Sequence, residues 1–284
     1  MSFIILGSEG FVAKSLKNFL VTKNKDTLAI GKKKINFLKK DSALKLKKTL
    51  RNKKNYTLII ISSIAPAKNL DDYLDNLKII KNIINGINIQ NTKKIIYISS
   101  DAVYSDTRKK ITENSPTAPN TMHGMMHLHR ESLLKSFFNK KLLIIRPTLL
   151  YGKNDTHNSY GPNKFMRNLI NNDPISLFGK GEERRDHVYI GDLVKIIYMS
   201  SQKKITGTLN VVSSKIISFY NLAIKAKDIT KSQSQINFLK RSGPMHHLGL
   251  RQFNNYKLKK EFINFNFSSI EKNLKEYLWN LQII

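Results

Sequence analysis

The stretch Phe3-Ile4-Ile5-Leu6-Gly7-Ser8-Glu9-Gly10-Phe11-Val12-Ala13 decides the fold. A short apolar run reads as a buried strand, and it passes through G-x-x-G-x-x-A directly into a segment with helical apolar spacing, Phe11 to Leu20. Gly7 permits the tight strand-to-helix turn, Gly10 lets the backbone approach a pyrophosphate, and Ala13 keeps the helix close to the sheet. Phosphates would then rest on the helix N-terminus, along Gly10, Phe11, Val12 and Ala13. The alternation continues outward from there. Thr27 to Ile30, Thr57 to Ile61, Lys94 to Ser99 and Leu142 to Ile145 read as strands; Asp41 to Leu50, Leu70 to Ile87 and Met122 to Phe138 read as helices. Strands that alternate with helices predict an α/β protein with a Rossmann-type doubly wound parallel sheet.

The second half is more broken, punctuated by Pro147, Gly152, Gly161, Pro162, Pro174, Gly179 and Gly181. A helix near Asp192 to Ser200, a strand near Thr208 to Val212 and a helical tail from Ser268 are the clear elements. We expect a dinucleotide-binding domain over residues 1–150 with a returning helix and strand near 188–212. A smaller C-terminal substrate-binding domain would use 151–187 and 213–284.

The chain of 284 residues is 40% hydrophobic, enough for a sizeable core. It has no cysteine, which excludes disulfide, thiolate-metal and cysteine chemistry. No apolar run is long enough for a membrane span, and Phe3 to Leu6 is too short for a signal-peptide core, so a cytoplasmic protein is expected. The net charge of +29 invites a nucleic-acid reading. Only nine of the 49 basic residues are Arg, however, and the lysines are spread through every segment. The pattern reads as a solvated Lys coat that attracts anionic small molecules, with no specific nucleic acid as partner.

Three later motifs join the glycine turn: Ser99-Ser100-Asp101-Ala102-Val103-Tyr104, Arg146-Pro147-Thr148-Leu149-Leu150-Tyr151-Gly152, and Arg184-Arg185-Asp186-His187-Val188-Tyr189-Ile190-Gly191-Asp192. In order and spacing the four resemble the extended short-chain dehydrogenase/reductases, the NAD-dependent epimerase/dehydratase family that acts on nucleotide sugars. The resemblance spans residues 1 to about 280. It implies hydride transfer at a sugar carbinol or ketone, NAD or NADP as cofactor, a nucleotide-diphosphate sugar as substrate and a homodimer. The alternative is a relative that has lost its chemistry and serves as a sensor or scaffold. Ser100 falls on the catalytic hydroxyl, Asp101 on the acid of the dehydratase and reductase branches, and Arg185 on the nucleotide-diphosphate clamp. Tyr104, at the end of its motif, is a candidate substrate contact. Asn158, Tyr160 and Asn163 lie in a polar, Gly/Pro-broken loop and are candidate sugar or phosphate contacts, as is Arg251 in the C-terminal region. At the end of the second strand, Ala29-Ile30-Gly31-Lys32-Lys33 has no carboxylate. Lys32 could neutralise a ribose phosphate, which tilts the expectation towards NADP.

The departure is central. Where the family places Tyr-x-x-x-Lys, this chain has His123-Gly124-Met125-Met126-His127, with Glu131 fixing the register. In the family mechanism a lysine pulls a phenol pKa of roughly 10 towards neutrality; an imidazole starts near ~6.5 and needs no such help, so the two losses are coherent together. Against this, a misplacement of about 1 Å can lower a rate roughly a hundredfold. His127 could still hold the nicotinamide ribose through one ring N–H. Acid/base chemistry by the pair and lost or rerouted chemistry both stay open. A metal site on His123, His127 and Glu131 is a third reading. Glu131 is two helical turns, about 12 Å, from His123 and could not share one ion, so no metal is expected.

Overall fold

The computed structural model describes residues 2–153, 155, 158 and 160–282, with backbone alone for 279–282. Contacts divide the chain into two compact units. The first runs to Ser105 and adds Glu113–Pro147 and Val194–Val211; the second comprises Asp106–Thr112, Thr148–Leu193 and the chain from Val212 on.

In the first unit, β1 (Phe3–Leu6), α1 (Phe11–Thr22), β2 (Thr27–Ile30), α2 (Ser42–Leu50), β3 (Tyr56–Ile60), α3 (Leu70–Gly86), β4 (Thr92–Ile98), α4 (Met122–Phe138) and β5 (Leu142–Pro147) alternate along the chain. β6 (Leu149–Tyr151), α5 (Pro162–Ile170), β7 (Ile175–Phe178) and β8 (Arg184–Tyr189) follow. The helix α6 (Ile190–Gln202) then leads back to β9 (Gly207–Val211), which completes the first sheet. That sheet has the order β2-β1-β3-β4-β5-β9 and every pairing is parallel. The strands are apolar on both faces because helices cover both. Leu6, Ile30, Leu58, Ile60, Ile95 and Ile144 form one core with Ile80 and Ile83 of α3 and Leu134 of α4. The order reverses beside β1, the place where doubly wound sheets open a ligand crevice at the strands' carboxyl ends.

The second unit has mostly short strands, with β8 the longest and buried at four of its six positions. β10 (Ile216–Ser218) pairs antiparallel with β8, and β8 pairs parallel with β6. After α7 (Phe219–Thr230), β11 (Ile236–Leu239) pairs parallel with β7. α8 (Tyr256–Glu261) and α9 (Ile270–Gln282) end the described chain. Phe165, Met166 and Leu169 of α5 pack with Leu222 and Ala223 of α7 and Leu274 of α9. Two boundaries differ from the expected ones. Residues 188–193 belong to the second unit because β8 is paired with β6 and β10. Asp106–Thr112 joins it as well, since Ile111 bridges to Phe253. Among the described residues no helix is long and apolar enough to cross a membrane.

Candidate active site

At the end of β1, Gly7 sits at φ +94°, and a Cβ there would lie 2.5 Å from Ser62 N, so only glycine lets these backbones approach. Gly10 is the N-cap of α1, extended at φ −77°, ψ 164°, with no side-chain cap bond and no acidic residue in the first turn. The first-turn amides of α1 therefore keep their hydrogen-bonding capacity and the positive end of the helix dipole. A Cβ on Gly10 would meet nothing nearer than Gly7 O at 3.9 Å, so the space beside it is open. Ala13 and Phe11 are buried and Val12 half-buried, which anchors the turn. This set fits a pyrophosphate. The turn also brings a residue that sequence reasoning missed. Around the missing side chain of Gly31, at the end of β2, lie Ser8 Oγ at 2.5 Å and Glu9 Oε1 at 2.9 Å from the Cβ position. A carboxylate thus stands where β2 itself carries none, while Lys32 is exposed. The available signal was Gly31, which clears the room that Glu9 fills.

β4 delivers the next group. Ser99 Oγ donates to Glu131 Oε1 at 2.6 Å, and Ser100 Oγ accepts from Ala102 N at 3.1 Å, capping a 3₁₀ turn over Asp101–Val103. Tyr104 OH donates to Asn210 Oδ1 at 2.7 Å, and the Arg146 guanidinium lies 4.6 Å from its ring centroid, so this tyrosine is part of the unit's interior. α4 starts hard against the turn, because a side chain at Gly124 would run into Ala102 O and Pro119. Thr121 caps the helix, accepting from Gly124 N at 3.1 Å. That approach sets His123 beside Asp101. Burial pushes the His123 imidazole below its ordinary value and the Asp101 charge works against the shift; Nδ1 is sealed with no hydrogen-bond partner among the described residues. The rings of His123 and His127 meet edge to face, with centroids 4.7 Å apart. His127 Nδ1 is 2.8 Å from Tyr97 OH.

Beneath the pair are two buried cations. Arg146 donates from Nε to Glu131 Oε1 at 2.8 Å and from Nη2 to Oε2 at 2.5 Å. Arg130 donates to Asn76 Oδ1 at 2.8 Å and Ser62 O at 2.6 Å, with its guanidinium 5.3 Å from the Tyr97 centroid. Glu131 is thereby committed to Ser99 and Arg146. Among the described residues no three of His, Cys, Asp and Glu are grouped to hold a metal ion.

In the second unit, a cavity of about 430 Å³ is lined by Tyr160, Phe178, Glu183, Arg185, Phe219 and Arg241 among others. Arg185 Nη2 donates to Glu183 Oε2 at 3.2 Å and to His246 O at 2.6 Å, and Arg241 Nη1 donates to Glu183 Oε1. Two guanidiniums share the buried carboxylate of Glu183, and the exposed Glu182 lies 3.7 Å from Arg241. Tyr160 packs on Phe219, with centroids 4.6 Å apart. The other candidates serve the chain itself. Asn163 Oδ1 accepts from Gly152 N at 2.9 Å and its Nδ2 donates to Asp155 Oδ2 at 2.8 Å, pinning a loop. Arg251 is buried against Asp106 Oδ1 at 3.2 Å. Asn158 is exposed and accepts from Arg167 Nη1 at 2.8 Å.

A doubly wound parallel sheet with a glycine turn at its switch point defines a Rossmann-type α/β protein. The chain belongs to the NAD-dependent epimerase/dehydratase family, whose model matches residues 3–212. It is 22% identical over 168 residues to an uncharacterized UDP-glucose epimerase of Bacillus subtilis, covering 57% of this chain and 53% of that one. It is 29% identical over 140 residues to a dTDP-4-dehydro-6-deoxyglucose reductase of Escherichia coli, covering 47% and 44%. The chain thus spans about half the length of these curated relatives. Its fold is similar to that of a GDP-L-fucose synthetase from Naegleria fowleri bound to NADP, at TM-score 0.84 and 17% identity over 99% of this chain and 94% of that one.

Proposed function

We propose that the chain is an NAD(P)-dependent enzyme of nucleotide-sugar metabolism, acting by hydride transfer at a sugar carbinol or ketone. The observation that carries this is the turn after β1: uncapped first-turn amides, an open space at Gly10, and a place at the switch point of the sheet. When bound, a nicotinamide supplies the hydride acceptor or donor. The chain's own groups manage the proton. Ser100 Oγ accepts from Ala102 N, so its own proton can be given to a substrate oxygen. His123, held neutral by burial, takes the hydroxyl proton as the carbinol is oxidised and returns it on reduction. Asp101 stabilises the imidazolium that forms. Epimerisation, dehydration and keto-reduction share this step. In the second unit, Arg185 and Arg241 around one buried carboxylate form a cradle for a diphosphate, and Tyr160 with Phe219 offers an aromatic floor beside it.

Glu9 favours NAD over NADP in this reading. A carboxylate against the end of β2 accepts a hydrogen bond from a ribose hydroxyl and repels a ribose phosphate, which reverses the tilt drawn from Lys32. A homodimer through α3 and α4 fits their exposed Leu74, Met125, Leu133 and Phe137, and sedimentation would test it.

Calorimetry with NAD and NADP is the deciding experiment. NAD should bind at least about tenfold tighter, and Glu9→Arg should reverse the order. Binding of neither removes the dinucleotide reading, whereas tighter NADP binding removes only the role of Glu9. Oxidation or reduction of the bound cofactor across a panel of nucleotide sugars then tests turnover; a chain that binds NAD but turns over none would be the sensor or scaffold instead.

A further inference from the structure

We infer that Tyr97 is a positioning residue that fixes His127 as a neutral imidazole protonated at Nε2, so that α4 offers one uncharged N–H donor at this position. This rests on the reading of α4 as the site helix, but its test needs no turnover.

The argument begins with the Tyr97 hydroxyl. It belongs to a residue only 1% exposed, and among the described contacts its sole polar neighbour is His127 Nδ1, 2.8 Å away. A buried hydroxyl with one polar neighbour directs its proton there, since leaving the donor unsatisfied is costly. Burial also holds the phenol far above its usual range, so the proton stays on the oxygen. Nδ1 is therefore an acceptor, and the single proton of a neutral imidazole sits on Nε2.

The charge state follows from what surrounds the ring. From its own helix it faces His123 and Arg130; from β4 it faces Tyr97. Asp101 faces His123, and Glu131 is spent on Ser99 and Arg146. Arg130 is fully buried, with no carboxylate partner among the described residues, held by Asn76 and Ser62 O beneath the Tyr97 ring. A protonated His127 would be a second buried cation above it, and burial with Arg130 and His123 pushes His127 well below its ordinary pKa. An ammonium at 127 would meet the same repulsion. The loss of lysine here is thus matched by a permanent cation one turn further along the helix, at 130.

The test uses the full chain labelled with ¹⁵N-histidine and long-range ¹H–¹⁵N spectra, with His127 assigned by the signal lost in His127→Gln. The expected result is a bare Nδ1 and a protonated Nε2, unchanged between about pH 5.5 and 8. A proton on Nδ1, or titration near the ordinary histidine value, overturns the inference. Tyr97→Phe keeps the ring over Arg130 and removes only the hydroxyl. It should populate both tautomers and weaken NADH binding about tenfold; unchanged tautomers in this variant also overturn the inference. Absence of NADH binding by the unaltered chain would sink the proposed function and leave the tautomer result to stand by itself.

Discussion

Replacing Glu131 by Gln tests whether the strand end at Ser99 and Ser100 is held by charge. Glu131 is fully buried and accepts from Ser99 Oγ at 2.6 Å and twice from Arg146, itself 2% exposed. Glutamine keeps the shape and one acceptor. Its Nε2, however, would face Arg146 Nη2, donor against donor, and the guanidinium would be left as an uncompensated buried charge beside Tyr104. Removing one partner of a buried pair costs about 3–5 kcal/mol. At about 2–3 °C per kcal/mol for a chain of this size, the melting midpoint should fall by roughly 6–15 °C, read by calorimetry in one buffer. Glu131→Leu combined with Arg146→Met should recover at least half of the loss, because the desolvation penalty leaves with the charges. A Glu131→Gln midpoint within about 2 °C of the parent would refute the reasoning.

Other perturbations separate backbone, charge and ligand effects. Gly7→Ala should collapse the yield of folded protein, because its Cβ meets Ser62 N at 2.5 Å and φ is +94°; Gly10→Ala, with 3.9 Å of clearance, should melt normally and lose dinucleotide affinity in calorimetry. Burial raises Asp186 from 3.8 to about 6 in the folded chain. The folded state therefore holds its proton more tightly than the unfolded one, and stability present below pH 4 is lost as pH rises towards 6. At about 1.36 kcal/mol per unit this reaches about 3 kcal/mol, so Asp186→Asn should raise the midpoint at pH 7.5 and not at pH 4. His187 has the opposite sign. Burial lowers it to about 3, so the unfolded chain gains the proton first and stability falls as pH drops below 6.5. His187→Phe, placed beside Phe219, should remove a loss of about 2 kcal/mol between pH 7 and 5, seen in urea titrations at the two pH values.

The first sheet was legible because its strands are buried on both faces. Phe3–Leu6, Tyr56–Ile60 and Leu142–Pro147 are apolar runs interrupted by Thr57 and Arg146, and the expected bounds agree with the observed ones to within a residue or two. β8 was not legible as a strand, since Arg184, Arg185, Asp186 and His187 give it no apolar alternation and its partners lie far away in sequence. β7 and β11 pair across some sixty residues, which local pattern does not encode. In the site, Gly7 could be read because the tight turn after β1 leaves no room for a side chain. Glu9 and Tyr97 could not. Their roles depend on which side chain folds against Gly31 and which ring arrives thirty residues later on α4. Asn163 and Arg251, read as candidate ligand contacts, bond within the chain to Gly152, Asp155 and Asp106, pairings that local sequence does not encode.

The pairing of β5 with β9 has a consequence during synthesis. Leu143 to Pro147 find their outer hydrogen-bonding partners only in Gly207 to Val211. While the intervening residues are still being made and threaded out of the ribosome, a largely apolar strand presents an unprotected ladder of amides and carbonyls to other nascent chains. Slowing translation downstream of β5 would lengthen that window, and recovery of soluble product would then come to depend on chaperones that bind exposed strands.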